Sequence, residues 1–484
     1  MNRRMVCNAI KSLAFASLCL FPAAVARADG AVYAMTNALA NNEVLAYHRD
    51  TLGNLSHVQT IGTGGGGSGL QLAGVDSLGS AGSIQLSSDH KLLFVVNTES
   101  AAENNGAGAY NTDCEQGTIT SYRVAADGTL TFADRVFSGG LFPNSLTVSK
   151  IKFARTSTQN EQGNDNSQGS ATAPVSPSTI VANLYVLNAG GPEAPAICHL
   201  TPDTANTPNV TGFKVDAAGH MIPLDSTQPI DPGPASAASG VSCTAAAAAG
   251  FSGLTGAPAA DFQCGLNPPS FPRSPAEVKL APSGTQLVVT VKGTNAIYVF
   301  PIGTGGIIGA TPTITQAPGP ALPTYFGFAF NALGDLLVTE LFGTATSIPA
   351  GGKGSLSSFV LTTTGQLQAI SSDVADGGTA ACWIAIEPLL GKFAYVSNNL
   401  SASISSYALG ANGVVTLLAG VAASGAGPND LATAVDGNNS FLYVVDAGTG
   451  TVGAFHINGD GSLTPITGGS GLPAGRSAQG LAAY

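Results

Sequence analysis

The chain has 484 residues, a net charge of −11 and a mean hydropathy of +0.24. Charged residues make up 10%, against roughly 25% in an average domain, and the acidic balance argues against nucleic acid or an anionic membrane surface as partner. The 62 glycines and 28 prolines among 44% hydrophobic residues suit short strands broken by tight turns.

The first residues read as an export signal. Arg3 and Arg4 form a basic start, Ser12–Val25 is apolar but too short to span a bilayer, and Ala26-Arg27-Ala28 is a small-x-small cleavage site. Residues 1–28 are thus expected to be removed, leaving a soluble periplasmic or secreted protein from Asp29 onward. Ala16-Ser17-Leu18 before Cys19 is a poor lipidation site, and no later stretch is apolar enough to span a membrane.

From there one phrase recurs seven times. An apolar strand (Ala31–Asn37, Lys91–Asn97, Asn183–Ala189, Gln286–Lys292, Asp335–Leu341, Lys392–Asn398, Ser440–Asp446) is followed by a strand with a Tyr or Phe near its end. A tight turn centred on glycine comes next, such as Asp127-Gly128-Thr129 or Asp460-Gly461-Ser462. Seven units of this kind predict one all-β, seven-bladed β-propeller over residues 29–484, each blade having strands A (inner) to D (outer). Six inner strands precede the apolar repeats, at Ser83–Leu86, Ser145–Ser149, Glu277–Leu280, Gly327–Phe330, Trp383–Ile386 and Leu431–Val435. The seventh falls at the far end, where Gln479–Tyr484 has inner-strand character, while Ala31–Asn37 starts directly as a B strand. The termini are therefore expected to close the ring by pairing in one blade, which leaves no open sheet edge.

Alternating strand direction puts the D–A and B–C connections on one face, the top. The long insertions at 63–82, 98–115, 190–209 and 226–274 all fall there. Cys114, Cys198, Cys243 and Cys264 lie on these top loops and read as two disulfides in an exported protein, with three pairings possible. Cys382, in an inner strand, reads as a buried thiol outside that set. The polar tract 156–178 lies on the bottom, and its composition predicts disorder.

The V-x-N ending of strand B, the aromatic of strand C and the D-G-T/S-L-T turn resemble the seven-bladed lactonase family, which includes phosphogluconolactonases and carboxymuconate cyclases. The resemblance covers nearly all of Ala31–Tyr484 and implies lactone hydrolysis or lactonising cyclisation. In that family a Gly-x-x-Pro-Arg-His stretch opens one inner strand, and its His, with a Glu and an Arg, carries the chemistry. The matching stretch here, Ser274-Pro275-Ala276-Glu277 through Pro282-Ser283-Gly284, keeps the Pro and the Pro-x-Gly but carries Ala276-Glu277 where the family has Arg-His.

The residues themselves offer these candidates. Glu277, Lys292 and Glu340 depart from the repeat and are the expected acid/base and oxyanion-stabilising groups. Trp383, the single tryptophan, with Phe326, Asn144 and Asp430, is expected to line a ligand site at the top of the axis, although Trp383 also suits packing between blades. The Asn or Asp ending strand B at Asn37, Asn97, Asn188, Asn398 and Asp446 reads as a turn device. Converging carboxylates, Asp430 with Asp446 among them, would suit a divalent cation such as Ca²⁺; no other cofactor is expected. Two functions follow. One is an exported lactonase or cyclase acting on a small lactone or cyclic acid in the top funnel. The other is a non-catalytic exported propeller, a monomer, that binds a small-molecule ligand or a protein partner through its top loops.

Overall fold

The computed structural model describes residues 30–38, 41–69, 78–100, 117–151, 179–190, 207–231, 274–317, 324–341, 353–475 and 478–484. Seven four-stranded antiparallel sheets account for almost all of them, with a short pair between Gly65–Gly66 and Glu99–Ser100 and one 3₁₀ turn at Thr304–Gly306. This is the expected seven-bladed propeller. Closure occurs as read from the sequence. The inner strand Leu481–Ala483 pairs with Ala31–Met35, and that sheet continues through Glu43–Arg49 to Leu55–Gly62. No helix among the described residues is long and apolar enough to cross a membrane. The four loop cysteines and the tract 156–178 lie outside the described residues, whereas Cys382 is buried on its inner strand.

The B strands read as near-continuous apolar runs because both of their faces are covered. Leu92–Asn97 and Gln286–Val291 are buried throughout, and each blade packs its two faces into two separate clusters. Outer strands alternate or lie mostly exposed, as in Leu55–Gly62 and Leu130–Phe137.

A repeated hydrogen bond locks six of the seven blade junctions. The C–D turn of one blade ends on a glycine whose carbonyl accepts from a hydroxyl of the preceding blade. Tyr33 bonds Gly128 at 2.8 Å, Tyr185 bonds Gly306 at 2.9 Å, Tyr395 bonds Gly461 at 3.0 Å and Tyr443 bonds Gly53 at 2.9 Å. Serines do the same at Ser121–Gly219 (2.7 Å) and Ser358–Gly413 (2.9 Å). These turns need glycine: Gly53 and Gly128 have φ of 85° and 81°, where a Cβ is strained. The recurring glycine of the sequence is therefore both a turn former and an interblade acceptor.

Inner strands carry a recurrent irregularity at their top ends. The register slips by one residue at Pro143/Ser145, Pro275/Glu277, Tyr325/Phe328, Ala381/Trp383 and Pro428/Leu431. Bulges of this kind re-aim side chains, and here they occur in five blades at the end of the ring that carries the candidate residues.

Candidate functional site

The top of the axis is built from inner-strand ends and one crossing segment. Ala81, Ala276, Phe326, Leu341, Ala380, Cys382 and Trp383 form an apolar cluster there. Phe326 and Trp383 meet edge to face at 5.6 Å between ring centroids, and the Lys292 ammonium sits 5.1 Å from the Phe326 centroid. Such a cation–ring contact is attractive when desolvated, and Lys292 is buried.

The crossing segment is Leu78–Gly82, which leads into the inner strand Ile84–Leu86. Its backbone is read by side chains from around the ring. Lys292 Nζ donates to the Gly79 carbonyl. Trp383 Nε1 and Gln479 Nε2 donate to the Ser80 carbonyl at 3.0 and 2.6 Å. Leu78 N donates to Gln479 Oε1 at 3.0 Å, Ser80 Oγ to the Asn144 carbonyl at 2.7 Å, and Ala81 N to the Ala276 carbonyl at 3.0 Å. The sequence reading places this segment within the top-face insertion 63–82, without a role at the axis. The run of small residues Ser80-Ala81-Gly82-Ser83 just before an inner strand was the available signal for close packing at the axis.

Lys292, Trp383, Phe326 and Asn144 are thus brought together, and Gln479 joins them. Glu277 and Glu340 have different surroundings. Glu277 Oε2 accepts from the Phe328 amide at 2.5 Å, and its Oε1 is paired with Lys279 Nζ at 2.6 Å; Lys279 also donates to the Phe328 carbonyl at 2.7 Å. The position has a counterpart in the preceding blade, where Ser145 Oγ accepts from Val278 N and Thr147 Oγ1 from Leu280 N. Glu277 therefore stitches one inner strand to the next. Among the described ion pairs its partner is Lys279, not Lys292.

Glu340 corrects the expectation that it breaks the repeat. Counting four residues on from the strand-B partner of the strand-C aromatic gives Asn97, Asn188, Asn398 and Asp446 in four blades, and Glu340 in a fifth. The contacts agree. Asn97 donates to Thr118 and Thr120, both at 3.1 Å, and Asn398 to Ser405 at 2.7 Å, while Glu340 accepts at 2.5 Å from Ser355, the counterpart of Thr118. By the same count, from Leu287 opposite Phe300, the position in the fourth blade is Val291, and Lys292 falls one residue beyond it. Tyr325, beside Phe326, packs between two blades with Ala317 and Val338. Asp430 Oδ2 accepts from Gly480 N at 2.7 Å and Asp446 Oδ1 from Ala426 N at 3.0 Å, so each serves a separate backbone amide. Among the described residues no group of three or more His, Cys, Asp and Glu is gathered to hold a metal ion.

Burial is the main reason that the Glu340 carboxyl is pushed up to about 7, with the Asp373 charge adding to it and the Ser355 and Ser357 hydroxyls opposing it. A carboxyl raised from its ordinary 4.5 binds more protons folded than unfolded, so it destabilises the fold as pH rises. Its contribution is nil below about pH 4.5 and reaches about 3 kcal/mol of lost stability above about pH 7. Glu340→Gln is expected to match the native protein in denaturant unfolding at pH 4.5 and to exceed it at pH 8. Equal pH dependence of the two proteins would refute the assignment. Asp446, also raised by burial, to about 6, gives a slope of the same sign that remains in the variant.

Residues 339–470, from the B strand of the fifth blade to the D strand of the seventh, match the family model described as Lactonase, 7-bladed beta-propeller. The resemblance read from the repeat is borne out. Similar solved structures include the periplasmic gluconolactonase PpgL of Pseudomonas aeruginosa, at 16% identity and a TM-score of 0.57, covering 94% of this chain and 99% of that one. A proposed 6-phosphogluconolactonase of Bacteroides uniformis has 12% identity and a TM-score of 0.56, with 94% and 99% coverage. A protein of unknown function from Desulfotomaculum acetoxidans has 12% identity and a TM-score of 0.52, with 94% and 98% coverage. These likenesses establish the fold. No curated protein matches the chain in sequence.

Proposed function

We propose that the chain is an exported, lactonase-type propeller that binds a small lactone or organic acid at the top of its axis. The observation that carries this reading is the donor set. Lys292 Nζ, Trp383 Nε1 and Gln479 Nε2, from three blades, all point to carbonyl oxygens at one place. Buried donors held by a rigid scaffold, next to the aromatic wall of Phe326 and Trp383, recognise carbonyl and carboxylate oxygens by pre-organisation. Export is supported by the segment 1–28 and by the periplasmic setting of one structural relative. The carboxylates argue against turnover at this place, because Glu277 is bound to Lys279 and Phe328 N.

One observation favours a second reading. Glu340, held near neutrality, has the proton affinity of a general base for lactone hydrolysis. Thermal shift of the mature protein against sugar lactones, their acids and neutral sugars, run alongside acid release from the same lactones, separates the two. Stabilisation by lactones and acids without acid release is the expected result. Acid release that Glu340→Gln abolishes would establish the enzyme, and the lack of any shift would overturn the binding reading.

A further inference from the structure

The segment Leu78–Gly82 sits where a ligand of the axial donors would sit. Leu78 and Ser80 are fully buried, and the carbonyls of Gly79 and Ser80 supply the acceptors that Lys292, Trp383 and Gln479 use. A peptide carbonyl is the weaker acceptor for an ammonium, since a carboxylate makes a charge-assisted bond roughly twice as strong. The segment also leaves the site incompletely satisfied: Asn144 Oδ1, fully buried beside it, has no hydrogen-bond partner among the described residues. Finally, Gly79 and Gly82 have φ of 63° and 75°. Glycine leaves such angles at little steric cost, so the stretch between them has a turning point at each end.

We propose that Leu78–Gly82 is a tethered occupant of the axial donors, held there until a small carboxylate displaces it. This rests on the binding reading above and adds a gate to it. In the closed state Gly79 and Ser80 satisfy the donors and keep water from the Phe326–Trp383 wall. In the open state the carboxylate takes the bonds from Lys292, Trp383 and Gln479, and the segment swings out about its two glycines. The ligand then binds with an affinity reduced by the cost of opening.

Because Trp383 is the only tryptophan and its indole N–H bonds the segment itself, its fluorescence reports the gate without any assay of activity. The mature protein is titrated with gluconate, malate and succinate, and with glucose and succinamide as uncharged controls. Trp383 emission should move to longer wavelength with the carboxylates alone. Gly79→Pro forbids the closed backbone, since proline holds φ near −65°. It should show the shifted emission without ligand and bind the same acids about tenfold more tightly. Ser80→Ala, which removes only the bond to the Asn144 carbonyl, should move both readouts the same way by less, and it serves if Gly79→Pro does not fold. A carboxylate that raises the unfolding temperature without changing Trp383 emission overturns the gate and leaves the binding reading standing. Folded variants with unchanged emission and affinity likewise overturn it, and acids and lactones that shift nothing overturn both.

Discussion

Removal of Gln479–Tyr484 is expected to abolish cooperative folding. These six residues supply the inner strand of the blade whose other strands are N-terminal, paired as Val32–Ala483, Tyr33–Ala482 and Ala34–Leu481. Their loss exposes the buried face of Ala31–Met35 and strips backbone partners from Ala31 and Met35. It also leaves several buried polar groups without the partners described here. Arg49 Nε loses the Tyr484 carbonyl at 2.9 Å, while Arg49 Nη1 keeps the longer contact with Asp436 at 3.4 Å. Asp430 loses the Gly480 amide, and the Leu78 amide loses Gln479. Each buried hydrogen bond lost costs about 0.5–3 kcal/mol, and a domain's whole stability is about 5–15 kcal/mol. The truncated protein should therefore show no sigmoidal thermal transition by circular dichroism. Ala482→Pro, which deletes one ladder donor while keeping the residues, should give an intermediate loss. A truncated chain that melts cooperatively within a few degrees of the full one would show that the ring is held elsewhere.

That closure was legible in the sequence because it follows from counting. Six inner strands precede seven apolar repeats, and a repeat fold needs the missing strand from somewhere. The blades were legible for a similar reason, since apolar B strands, C-strand aromatics and turn glycines recur with the structure they impose. The site was less so. Glu340 looked like an exception because the B strand of its blade reads DLLVTEL, without the V-x-N ending. Only the pairing of Leu336 with Phe359 reveals that it stands where Asn97 stands opposite Leu93–Tyr122. Lys292 does depart from the repeat as read, because Val291 holds the strand-end position of its blade and Lys292 stands one residue beyond it. Bulges and single-residue offsets decide which way these side chains point, and they arise from packing between blades, which no single repeat encodes. The axial segment escaped for another reason: Ser80, Ala81 and Gly82 have no periodicity, and the contacts of Ser80 lie 64, 303 and 399 residues along the chain, at Asn144, Trp383 and Gln479.

One substitution separates a stitching Glu277 from a catalytic one. If Glu277 is an interblade stitch, Glu277→Ala removes the acceptor of the Phe328 amide and the counter-charge of Lys279 together. Breaking a buried pair from one side costs about 3–5 kcal/mol, so the variant should be among the least stable single substitutions in this ring. The neighbouring blade supplies the control. There the equivalent positions are Ser145 and Thr147, which accept from the amides of Val278 and Leu280 without any charge. Glu277→Ser combined with Lys279→Thr copies that neutral pair into the next blade and leaves no charge uncompensated. It should recover most of the loss, ending within about 1–2 kcal/mol of the native protein, because removing both partners of an ion pair is far milder than removing one. Denaturant unfolding of the two variants gives the comparison directly. A catalytic or ligand-binding Glu277 predicts the opposite ordering: Glu277→Ala would keep its stability and lose only the ligand response, and the double variant would not rescue it.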